Sequence, residues 1–136
     1  MAPMEQEPKE KAEQALQAAT EFAQIFYEYL DKKRNAVRNL YMDTATLLWN
    51  GNAISNKDAI LKFLEDLPTS EHTLTTLDSQ PLVEPVIDGQ TSIMVTVFGK
   101  ACYQDTKAKG FFQTFILTSQ GNVWKIVSDT YRFLEA

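Results

Sequence analysis

A chain of 136 residues, 44% hydrophobic and 11% aromatic, has room for one domain with one substantial core and not for two of ordinary size. With 18 acids against 13 bases, a formal charge of -5 and a pI near 4.8, it lacks the basic field that recruits nucleic acid or anionic lipid, so any role near RNA is expected to be indirect. A single cysteine, Cys102, permits no internal disulfide, and no apolar run is long enough to span a bilayer. The start, MAPMEQEPKEK, has acids and prolines where a secretory signal would carry positive charge and an apolar stretch, so the sequence reads as soluble and untargeted.

In chain order, residues 1–8 read as a flexible N-terminal tail and residues 9–135 as a single domain. From Lys9 to Leu30, Ala12, Ala15, Leu16, Ala19, Phe22, Ala23, Phe26 and Leu30 recur at spacings of three and four, which predicts a long helix with one apolar face. A second short helix is expected over DKKRNAVRNLY, with Lys32, Lys33, Arg34 and Arg38 on a solvated face. Thr44 to Trp49 has strand composition, Asn50-Gly51 is a turn signal, and Ser55 with Asp58 fits a capping box. The helix that follows from Asn56 turns Ala59, Ile60, Phe63, Leu64 and Leu67 inward before Pro68 stops it.

Strands then dominate, at 72–78, 91–103, 111–119 and 123–134, with a turn candidate at Asp88-Gly89. The expected architecture is α+β, with helices packed on one face of a strongly curved antiparallel sheet. These strands are apolar on both parities: Ile93, Val95 and Val97 alternate with Met94, Thr96 and Phe98, and Phe111, Phe115 and Leu117 with Phe112 and Ile116. An antiparallel sheet with one wet face alternates apolar and polar, so a partner protein is the expected cover for the second face.

Chemistry is sparse. The sequence has no nucleophile elbow, no glycine-rich phosphate loop and no paired metal-ligand spacing, so neither an enzyme nor a cofactor or metal is expected. The one histidine, His72, reads as an exposed residue of a loop or strand entry, and Cys102 as a packed strand residue. Asp129 shares a nominal parity with Val127 and Tyr131, where a carboxylate must be paired or hydrogen-bonded. Arg132 has the opposite nominal parity, and a bend in its strand would turn it into the interior as a plug.

LYMDTATLLWNGNAIS, LP at 67–68, LDSQP at 77–81, FFQTFILT at 111–118 and VWKIVSDTYRF at 123–133 together resemble the NTF2-related export proteins, the small subunits of the metazoan mRNA export receptor. The resemblance runs in order from about residue 12 to 134. It implies a nuclear transport factor 2-like (cystatin-like) cone. It also implies a non-enzymatic subunit that pairs, sheet to sheet, with the related domain of a large export receptor. That pair engages nucleoporin phenylalanine-glycine repeats, the small subunit only indirectly, and shuttles between nucleus and cytoplasm. By the same resemblance, Asp78 matches an aspartate that pairs with an arginine across the heterodimer, flanked by Gln80 and Pro81. Arg132 matches a cavity-filling residue, and Gln113, Phe115, Ile116, Lys125 and Val127 complete the expected partner interface. The competing readings on this fold are a homodimeric Ran-GDP import carrier, which calls for an apolar hole flanked by acids, a small isomerase or dehydratase, and a subunit of some other complex.

Overall fold

The computed structural model describes residues 8–82, 90–104, 106–121 and 123–134; most of the expected tail and the Asp88-Gly89 turn lie outside them. Helix α1, Pro8–Lys32, turns Ala15, Ala19, Phe22, Ala23, Phe26, Tyr27 and Leu30 inward. Ala12 and Leu16, expected on that face, are exposed. The second predicted helix is a 3-10 segment, Arg34–Leu40, anchored by buried Val37 and Leu40.

Strand β1, Tyr41–Trp49, runs into a hairpin with β2, Asn52–Ser55. Asn50 and Gly51 both have positive φ, 46° and 88°, as a two-residue turn with the twist of the flanking strands requires. Because Ser55 is still paired with Thr46, it does not cap the next helix. Asn56 does so instead: its side-chain oxygen accepts from the Ala59 N–H at 3.0 Å at the start of α2, Lys57–Glu65.

Four strands follow: β3, Ser70–Pro81; β4, Ser92–Tyr103; β5, Lys109–Gln120; and β6, Val123–Leu134. The sheet order is β2-β1-β6-β5-β4-β3. The expectation of a strongly curved, antiparallel cone is corrected here. After β2 the chain passes through α2 to the far edge, and the β3 to β6 meander walks back until β6 lies beside β1 in the same direction. The sheet is therefore mixed, and it is open, with β2 and β3 as separate edges.

Two irregularities set the register. Between β3 and β4 the pairing shifts at Thr75, and a Cβ on Gly99 would stand 2.2 Å from the Thr73 carbonyl oxygen, so only glycine fits that close approach. Between β5 and β6, Ile116 faces Ser128 while Leu117 faces Ile126, which leaves Val127 as the extra residue of a bulge. Ile126 and Asp129 thereby both reach the helix side, which strict alternation along β6 does not allow.

The core lies between the helices and one sheet face. Phe26 sits at its centre, its ring 4.8 Å from Phe115 and 5.1 Å from Tyr27, in edge-to-face contacts.

Candidate functional site

The polar groups on the helix-covered side form two closed clusters. Asp129, 2% exposed, accepts the Tyr41 hydroxyl at 2.6 Å and the Gln113 side-chain amide at 2.8 Å, and the Tyr27 hydroxyl donates to the Gln113 carbonyl oxygen at 2.6 Å. Burial pushes the Asp129 carboxyl up to about 6, against the lowering effect of these two bonds. Burial and the nearby Asp129 charge raise Tyr27 and Tyr41 well above the ordinary phenol range.

The second cluster ties the end of α1 to β3, β4 and β6. The Asp31 carboxylate accepts from the Ser70 hydroxyl and the His72 backbone N–H and meets His72 Nδ1, each at 2.7 Å. His72 Nε2 meets the Tyr131 hydroxyl at 2.9 Å, and the Tyr103 hydroxyl reaches Tyr131 at 3.3 Å. Burial raises the Asp31 pKa, but the hydrogen bonds and charge of His72, with the Ser70 bond, outweigh it and the net shift is downward. Arg34 completes the clamp by donating to the carbonyls of Leu30, Leu64, Leu67 and Pro68 and to the Ser70 hydroxyl.

The sequence reading of His72 as exposed is thus corrected: its side chain is fully buried among Tyr27, Tyr103, Phe111 and Tyr131. Arg34, read as part of a solvated face, is half-buried and structural. Both nitrogens of His72 and both oxygens of Asp129 are engaged within the fold, so these groups hold elements together and present no free atom to a substrate. Cys102, expected to be packed, is exposed.

Among the described residues, no helix covers the opposite sheet face. The pairing registers place its residues in cross-strand rows: Asp78, Thr96, Thr114, Thr130 and Leu48 form one, and Gln80, Met94, Ile116, Ser128 and Thr46 the next. Thr76, Phe98, Phe112 and Arg132 form a third. Phe98 is 40% and Leu48 37% exposed, and the Phe98 and Phe112 rings lie 5.9 Å apart. The centre of this face is apolar or threonine-rich, while Asp78 and Arg132 mark two sides of it. They stand three strands apart, roughly 14 Å at ordinary strand spacing, too far to pair with each other.

The residues expected at a partner interface separate accordingly. Asp78 and Gln80 are exposed and Ile116 is half-buried, all on the open face. Gln113 and Phe115, 2% and 0% exposed, face the helices, so their expected interface role is corrected to a core role. Pro81 is half-buried near the end of β3, Lys125 turns its ammonium to the Asn39 carbonyl, and Val127 is half-buried in the bulge. Arg132, expected to fill a cavity, is exposed; Tyr131 occupies the interior, stacked between Trp49 at 4.1 Å and Phe111 at 5.2 Å. Met94, Phe98, Phe112 and Leu48 also belong to this face, outside the expected interface set. The doubled apolar parity of β4 and β5 signals the first three, whereas Leu48 lies on β1, outside that signal.

The nuclear transport factor 2 (NTF2) domain family matches residues 18–133. The human NTF2-related export protein 2 is 44% identical over 129 residues, covering 92% of this chain and 91% of that protein. Among solved structures, nuclear transport factor 2 from Cryptosporidium parvum superposes with a TM-score of 0.76 at 23% identity, over 89% of this chain and 95% of that one. The Candida albicans Mtr2-Mex67 M domain complex gives a TM-score of 0.70 at 17% identity, over 90% and 98%. The chain therefore belongs to the nuclear transport factor 2 domain family and is closely related, within it, to the NTF2-related export proteins.

Proposed function

We propose that this protein is the non-enzymatic small subunit of an mRNA export receptor, pairing through its open sheet face with the nuclear transport factor 2-like domain of a large subunit. The observation that carries the reading is the uncovered apolar surface of Leu48, Met94, Phe98, Phe112 and Ile116 on an otherwise well-covered sheet. A sheet-to-sheet contact of ordinary size covers roughly 800 Å² per partner, and these side chains, already half-buried or at most 40% exposed, gain on docking only a fraction of the roughly 1.5–3 kcal/mol that full burial is worth. The relationship to proteins named for export, and the fold shared with a chain of the Mtr2-Mex67 M domain complex, point to the same use. In this reading the pair shuttles between nucleus and cytoplasm, and nucleoporin repeats and messenger ribonucleoprotein are engaged through the large subunit, consistent with a net charge of -5 on this chain.

Asp78 and Arg132 are assigned to orientation. A correct partner presents a base opposite Asp78 and an acid opposite Arg132, and a wrong partner leaves one of them buried without a counter-charge. A Ran-GDP carrier calls for an acid-flanked apolar hole, whereas the small apolar pocket beside Trp49 is bordered by Lys107 and Lys109. The test is Asp78→Arg, assayed by co-purification with the large subunit's domain. At least tenfold weaker pairing with an unchanged melting temperature supports the assignment. Unchanged pairing removes Asp78 from the interface.

A further inference from the structure

The two edges of the sheet differ in how they are protected. β2 is four residues long and leads at once into α2, whereas β3 offers twelve residues, and among the described residues no strand pairs with its outer side. Exposed edges are ordinarily blunted by shortness, lysine, proline or a bulge. β3 has Pro81 at one end and the irregularity at Thr75 within it, but no lysine or arginine along its length.

The ladder fixes which backbone groups face outward. The Gln104 N–H donates to the Thr69 carbonyl and the Leu82 N–H to the Ser92 carbonyl. Residues 69, 71 and 73 on one side of the bulge, and 78, 80 and 82 on the other, therefore turn their N–H and C=O groups toward β4. Ser70, His72, Leu74, Leu77, Ser79 and Pro81 turn theirs outward. The outward His72 N–H is taken by Asp31 at the end of α1, 2.7 Å away. Beyond that clamp, Leu74, Leu77 and Ser79 line the edge as far as Pro81, which has no N–H to give.

The helix side of this edge is incompletely covered. Ile93, Val95 and Val97 of β4 are at most 2% exposed, while Leu74 and Leu77 are only half-buried. Leu16, 47% exposed, precedes Tyr27 by about three helical turns and so lies on the same side of α1, the side that meets His72 of β3. The other parity of β3 carries exposed Glu71 and Asp78; the base beside them, Lys100, belongs to β4 and pairs with Thr73.

We infer that the β3 edge accepts an extended segment of another protein as a seventh, antiparallel strand. Apolar side chains of that segment cover Leu74, Leu77 and Leu16, and its alternate, basic side chains meet Glu71 and Asp78. Backbone bonds supply the affinity and alternate side chains the selectivity. A second copy is disfavoured, because two β3 edges side by side bring Glu71 and Asp78 of each together without a lysine or arginine on either strand. Segments 1–7 and 83–89 of the chain likewise carry acids and no lysine or arginine.

The added strand lies in the plane of the sheet, apart from the open face. The test is fluorescence polarisation of a labelled heptapeptide of alternating lysine and valine, titrated with the full chain, followed by amide hydrogen exchange of the saturated complex. In antiparallel register the valines share the side of Leu77 and Ser79 and direct their own N–H groups at β3. The expected result is saturable binding, with slowed exchange at Leu74, Leu77 and Ser79. Binding should weaken about tenfold or more when the valines are N-methylated, but not when the lysines are, and as much when glutamate replaces lysine. Phe98→Asp, on the open face, should bind the peptide as the wild type does, so failure of the pairing reading leaves this result standing. Absence of saturable binding overturns the inference, as does binding that valine methylation leaves intact. Slowed exchange confined to the open face also overturns it, as does equal binding of the glutamate peptide.

Discussion

The two faces of the sheet use similar residues to opposite ends. Beneath the helices, Phe111, Phe115, Leu117 and Ile93 are at most 2% exposed, and the polar groups among them, Gln113 and Asp129, have their partners within the fold. On the other face, Phe98, Phe112 and Ile116 occupy the alternate positions of the same strands, joined by Leu48 of β1, with only part of their surface covered. The first face is what holds the chain together. The second contributes little until something docks, so substitutions on the two faces should be distinguishable by what they damage.

The largest separation is expected between two phenylalanines. Phe115→Ala removes a fully buried ring that contacts Phe22 and Phe26 and should cost about 3–5 kcal/mol of stability, measured by denaturant unfolding of the isolated chain. Phe98→Ala should leave that curve within about 0.5 kcal/mol and instead weaken partner binding by tenfold or more. Equal destabilisation by both would erase the distinction between the faces.

Asp129 sharpens the comparison through pH. Its carboxyl titrates at about 6 in the fold against 3.8 unfolded, so between those values the native state holds more protons and stability falls as pH rises. The cost, complete above about pH 6, is roughly 3 kcal/mol. Asp31 has the opposite sign: its depressed pKa gives stability present above 3.8 and lost on acidification below it. Unfolding measured from pH 4 to 7 should therefore show a decline in the wild type that Asp129→Asn abolishes, whatever that variant's absolute stability. A smaller effect is expected at Gly99, where alanine must push aside the Thr73 carbonyl; about 1–3 kcal/mol is predicted by thermal melting.

Much of this was legible in the sequence because it rests on local chemistry. The three-four spacing gave α1, Asn50-Gly51 gave the hairpin turn, and the doubled apolar parity of 91–103 and 111–119 gave the uncovered face. What could not be read depends on distant pairings. The parallel contact of β1 with β6 joins the two ends of the fold, and no local pattern announces it. The bulge at Val127 moves Ile126 to the side of Asp129, so counting alternate residues misassigned that strand. Gln113 and Phe115 went to the wrong face because nothing local says which parity the helices cover. His72 looked exposed beside PTSE, yet Asp31, 41 positions earlier, and Tyr131, 59 later, enclose it.

The central claim is that the open face is a heterodimer interface. Its most direct test is the solution mass by light scattering of the purified chain, alone and mixed with the nuclear transport factor 2-like domain of a large mRNA export receptor, for the wild type and for Phe98→Asp. The expected result is a one-to-one complex for the wild type and separate components for the variant. A wild-type chain that remains a monomer or a homodimer indifferent to that domain would contradict the account, as would a complex that Phe98→Asp leaves intact.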